Sequence, residues 1–132
     1  RTARKGLAAA KTTIGRAVPS LRRALAESVR DGYDGGNDEY DGFCTDRVVV
    51  INLYPLTKRP ELIASPTKLT HELVMTVTHE LAHLLEKGGA HGASWRATHA
   101  SLLQAVYCHV CAVGDDGALC AAASRCQDCE ED

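Results

Sequence analysis

His79-Glu80-Leu81-Ala82-His83 sets two imidazoles four residues apart with a carboxylate beside the first. An α-helix makes a turn every ~3.6 residues, so on a helix both rings project from one face and can share a metal ion. Glu80 then carries its carboxylate within reach of a water on that metal, where it can act as a general base. A chain of this composition would contain HExxH by accident about 0.02 times. Two surface histidines on an ordinary helix are the bland alternative.

Catalytic zinc takes three protein ligands and keeps one position open for water. A third histidine six residues after His83, with glycine three residues after it, is ruled out: those positions hold Gly89 and Glu86. A glutamate ligand from a following helix is also ruled out, since no Glu stands between Glu86 and Glu130. His71 lies eight residues before His79, about 12 Å along a helix axis. His109 sits inside a CxxC pair. His91 is the best third ligand: it follows Gly88-Gly89, which can end the helix and reverse the chain, and it precedes Trp95, which can anchor the loop. His99 is expected to pack nearby or support a ligand. Arg96, His99 and Tyr107 are candidates, by nearness in sequence alone, for stabilising an oxyanion.

These residues need a helix to carry them and a core to hold it. Ser65-Pro66 suits a helix start, with Ser65 as N-cap and Pro66 at the first helical position. The helical pattern runs on to Lys87, burying Leu69, Leu73, Val77, Leu81 and Leu84. A further helix is expected over about Ser94 to Tyr107, with Trp95, Leu102 and Val106 in the core. Val48-Val49-Val50-Ile51 with Leu53, stopped by Pro55, is a buried strand. Upstream, residues 7–17 are Ala-rich and suit a helix until Pro19. Leu21, Leu25 and Val29 then suggest a short amphipathic helix ended by Asp31-Gly32. The acidic, glycine-rich run from Tyr33 to Gly42 lacks the ligand spacing of a calcium loop and reads as a flexible connector.

The net charge of -2 hides an asymmetry. Residues 1–30 hold eight Lys/Arg against Glu27 alone, residues 31–46 hold six acids and no base, and residues 115–132 hold six acids and Arg125. Such blocks are usually solvated; the sharper reading is a basic arm that contacts DNA phosphates. No apolar run is long enough for a membrane span. The chain opens on Arg1 rather than Met, which leaves the position of its natural start open.

Five of the six cysteines fall between Cys108 and Cys129. Cys108-His109-Val110-Cys111 and Cys126-Gln127-Asp128-Cys129 form two CxxC pairs separated by fourteen residues, with Asp116-Gly117 suited to a hairpin turn between them. This spacing points to a closed structural zinc site, in a reducing cytoplasmic or nucleoid-associated setting, more than to disulfides. Cys120 is a spare that can replace one of the four, and Cys44 has no assigned role.

HELAH followed, after a short spacer, by His91-Gly92-Ala93-Ser94-Trp95-Arg96 resembles the SprT-like metallopeptidases, the bacterial SprT and eukaryotic Spartan type. The resemblance covers about residues 47–129 and departs from the family over residues 1–46. It implies an α+β zincin-type domain and zinc on His79, His83 and His91, with Glu80 as general base. A C-terminal zinc ribbon, present in some members, agrees with the cysteine pairs. Spartan-type members degrade proteins crosslinked to DNA, which brings DNA-protein crosslink repair into view. The expected organisation is a basic helical arm and acidic linker over 1–46, a metallopeptidase domain over 47–107, and a ribbon with an acidic tail over 108–132. The expected activity is a zinc endopeptidase acting on a protein or peptide through a zinc-activated water. Two rivals stand beside it: a metal-dependent hydrolase of a non-peptide bond, and a zinc-stabilised binding module without turnover.

Overall fold

The computed structural model describes residues 2–32, 42–45, 47–86 and 91–113, with side chains as far as 110. The fold is α+β, mostly helical with one three-stranded sheet. None of the described helices is long and apolar enough to cross a membrane.

Helix α4 (Pro66–Glu86), which follows the single-turn α3 (Pro60–Ile63), is the central element. Its start follows the local signals: Pro66 opens the helix, and the Ser65 hydroxyl accepts from the Lys68 amide at 3.3 Å. Leu69, Leu73, Val77 and Leu81 are fully buried, joined by Val74, Thr78 and Ala82, and Leu84 packs at the edge of the core. The helix ends at Glu86; Lys87 and the Gly88-Gly89 break lie outside the described residues.

Helix α1 (Thr2–Ala17) lies across α4. Ala3, Leu7, Ala10 and Ile14, three or four residues apart, form its buried stripe. Gly6 marks the close approach: a β-carbon there would stand 2.8 Å from Leu69 Cγ. Pro19 stops α1 and opens a short 3₁₀ turn over Pro19–Leu21, followed by α2 (Arg22–Ser28). Arg22 Nε caps α1 by donating to the Gly15 carbonyl at 3.0 Å.

The amphipathic helix expected to run to Asp31-Gly32 is shorter than its periodicity suggests. Val29 instead opens strand β1 (Val29–Gly32). β1 pairs in parallel with β3 (Val49–Asn52), Val29 opposite Val49. Seven residues of α2 make a marginal helix, and β-branched Val29 gains more by pairing in a buried sheet. A third strand, β2 (Gly42–Cys44), runs antiparallel to β3 with Phe43 opposite Val50, giving the order β1-β3-β2. Of these strands the sequence predicts β3 alone.

Residues 1–46 were expected to stand apart as an arm and linker. The described part of them instead shares the core of the expected domain, because the apolar stripe of α1, with Leu25 and Val29, leaves water by packing into it. The second expected boundary falls inside a helix. Helix α5 (Ala93–Val113) continues past Tyr107, so Cys108 lies on its last turns and the backbone at Cys111 is helical. Val110 accounts for the extension, being buried in the same core as Val106 and Tyr107. Cys120, Cys126 and Cys129 lie outside the described residues, as do Asp116-Gly117.

Candidate metal centre

His79 and His83 leave α4 one turn apart toward the start of α5, and His91 arrives from the segment before α5. His91 Nε2 lies 3.0 Å from His83 Nε2 and 3.2 Å from His79 Nε2. The three nitrogens stand close enough together to bind one metal ion. Two nitrogens bound to a tetrahedral zinc at about 2.0–2.1 Å stand about 3.3 Å apart, so these separations fit such an ion. Three imidazoles are also a donor set that suits zinc, which accepts nitrogen readily.

Burial draws the His79 imidazole down to about pH 4, helped by the nearby rings of His83, His91 and His99. His79 is therefore neutral near pH 7, with a ring lone pair available to a metal. Glu80 is almost fully buried, and its Oε2 lies 4.0 Å from His79 Nε2. That places a carboxylate beside the point where the three nitrogens converge.

Trp95 organises the rings. Its indole stacks on His83 at 27° and on His99 at 29°, and meets His79 and His91 edge-on with centroids 4.7 and 4.5 Å away. Its Nε1–H donates to the His79 carbonyl at 3.3 Å, tying α5 to the backbone of α4. His99 stands outside the triad. Thr78 Oγ1 donates to the Val74 carbonyl at 2.7 Å and lies within hydrogen-bond distance of His99 Nε2 at 3.2 Å. Burial holds the His99 imidazole below its usual pKa, against a hydrogen bond to the Met75 backbone that favours the charged form.

A cleft of about 390 Å³ opens beside His79 and Glu80, between α4, α5 and β2. Gly42 forms its β2 wall; a β-carbon there would press to 2.9 Å from the Val50 carbonyl oxygen and face Glu80 Cγ at 3.5 Å. Of the three residues considered for an oxyanion, His99 lines this cleft. Tyr107 is buried with its hydroxyl 2.5 Å from His71 Nδ1, and Arg96 is exposed. Tyr107 also accounts for His71, which lies far back on α4 and whose imidazole burial holds below its usual pKa.

Sequence reading missed two parts of the site. The wall made by Gly42 carries no local signal, because it depends on β2 pairing with β3. Glu86 had a faint one: Ser94 and Thr98, four residues apart on the next helix, present two hydroxyls on one face. Comparison of the chain with family models, with curated proteins and with solved structures found no match.

Proposed function

We propose that this chain is a zinc-dependent endopeptidase of the SprT-like type, with a zincin-like catalytic centre. The observation that carries the reading is the convergence of His79, His83 and His91 beside the buried Glu80. Zinc held there would polarise a scissile carbonyl and lower the pKa of a water to about 7. Glu80 takes the proton of the attacking water on its carboxylate and passes it to the departing amine. The wall around it, Gly42, Met75 and Thr76, narrows the approach to that carboxylate. His79, His83 and His91 are oriented by their packing on Trp95.

A peptide substrate is favoured over a small non-peptide one by the neighbouring sheet edge. Among the described strands β2 has one partner, β3, and its Gly42 borders the cleft. An extended peptide can pair with such an edge through main-chain hydrogen bonds. A DNA-associated protein as the substrate rests on the SprT resemblance and on the exposed bases of α1. A second, structural zinc on Cys108, Cys111, Cys126 and Cys129 belongs to the same proposal, on the strength of the CxxC spacing.

The test pairs metal analysis of the full chain with hydrolysis of an unfolded casein-type protein by wild type and Glu80→Gln. Zinc in both proteins, with cleavage by wild type alone, supports the reading. Zinc with no cleavage of any protein substrate favours the binding module, and activity on small esters alone favours the non-peptide hydrolase.

A further inference from the structure

The Glu86 carboxylate, at the C-terminal end of α4, receives two hydroxyls from the first turns of α5. Ser94 Oγ donates to Glu86 Oε1, and Thr98 Oγ1 donates to Glu86 Oε2 at 2.5 Å. Both hydrogen bonds favour the carboxylate form and hold its pKa below the usual carboxylate range. Its charge also sits against the N-terminus of α5, where the helix dipole favours an anion.

The spacing gives this contact its meaning. His79, His83 and Glu86 fall at i, i+4 and i+7, one row along α4. On the other side, Ser94 and Thr98 are one turn apart on α5, so a single carboxylate reaches both. His91 lies three residues before Ser94, between α4 and α5. The first backbone bond of α5, from the Arg96 amide to the Gly92 carbonyl at 2.9 Å, begins immediately after it. An exposed histidine in a connection has many orientations to lose. The carboxylate clamp removes that freedom by locking the segment's far end to the turn that follows His83.

We infer that Glu86, through Ser94 and Thr98, is the positioning residue for His91 as third metal ligand. The inference rests on the metal-binding reading of His79, His83 and His91. Glu86 touches neither the converging nitrogens nor the cleft lining, so it acts through the placement of His91.

The experiment measures zinc affinity of the full chain by competition with a chromophoric chelator. Wild type, Glu86→Ala, Glu86→Gln, Thr98→Val, His91→Ala and the Glu86→Ala/His91→Ala double variant are compared. Glu86→Ala is expected to weaken zinc binding about 10–100-fold, the usual effect of losing a residue that orients a ligand. Thr98→Val, close to isosteric, should weaken it less, and Glu86→Gln should recover part of the loss. In the His91→Ala background, Glu86→Ala should cost nothing further, which a merely structural role would not produce. Wild-type affinity in both Glu86→Ala and Thr98→Val, or an equal loss with and without His91, overturns the inference. A wild-type chain that binds no zinc, or a His91→Ala chain that binds it unchanged, sinks the metal reading itself and is recognised as such by that variant alone.

Discussion

His79, His83 and His91 aim three ring nitrogens at one another, with His91 3.0 and 3.2 Å from the other two, whereas four bases of the N-terminal segment each turn to a different partner. Lys11 Nζ donates to the Val29 carbonyl, Arg22 to the Gly15 carbonyl, Arg4 pairs with Asp31, and Arg23 pairs with Glu27. Both regions stand out in the sequence as concentrations of one chemistry. In the first, like groups are brought together at a cost in burial and mutual repulsion that a bound cation would offset. In the second they are dispersed over α1, α2 and β1, and four of them cap a helix or pair with other groups of the same segment. Concentration in sequence therefore indicates a site only where the fold makes the groups converge.

The sharpest way to break this contrast is to remove one member of the convergent set. His91→Ala should leave only weak, two-histidine zinc binding at this centre and abolish hydrolytic activity, while His99→Ala keeps wild-type zinc affinity, both read by chelator competition and a casein assay. Metal lost in the His99 variant and kept in the His91 variant would reverse the ligand assignment. Glu80→Gln comes next: zinc content should stay at the wild-type value and kcat should fall about 10²–10⁴-fold, the range for removing a general base. Near-normal turnover would remove Glu80 from the chemistry.

The N-terminal segment should answer through stability instead. Gly6→Ala pushes a β-carbon into the buried Leu69 side chain and should destabilise the fold by about 1–3 kcal/mol, measured by denaturant unfolding. Unchanged stability would mean that α1 does not press on α4 as described.

Acid separates the regions in another way. Burial disfavours the His79 imidazolium in the folded chain, so the unfolded chain takes up the proton first. The stability His79 contributes to the metal-free protein is thus complete above pH 6.5, its ordinary pKa, and is lost as pH falls toward about 4. The lowered pKa values of His71 and His99 act in the same direction. A metal-free protein equally stable at pH 7 and pH 4.5, by thermal unfolding, would contradict that burial.

The smallest effect belongs to the surface bases. Arg4→Ala breaks an exposed ion pair and should change stability by no more than about 1 kcal/mol. Replacing Arg4, Lys5, Arg16 and Arg30 together by Gln tests DNA contact without deleting α1, whose loss would open the core. Zinc binding should be unchanged, and any duplex DNA binding should weaken with a shallower salt dependence. Equal binding by this variant would exclude the basic face as the contact.

The amino-acid order by itself determined what depends on neighbours a few residues away. The start of α4 at Ser65-Pro66, its apolar stripe, the shared face of His79 and His83, and the core of β3 all follow from hydrogen bonds and side-chain spacing within one or two turns. His91 was legible for a related reason: a glycine pair after a helix and an aromatic anchor beyond it leave few paths for the chain. Only the tertiary structure decided the rest. β1 (Val-Arg-Asp-Gly) and β2 (Gly-Phe-Cys) lack the β-branched apolar run that marks β3, and they exist because β3 supplies their hydrogen bonds. The basic segment became core because the stripe of α1 met Leu69 and Leu73 more than fifty residues away. Thr78 became a partner of His99, and Glu86 of Ser94 and Thr98, through the crossing of α4 and α5. Helical order is local and can be read from spacing, whereas strand pairing and side-chain convergence come from contacts that chain order alone does not specify.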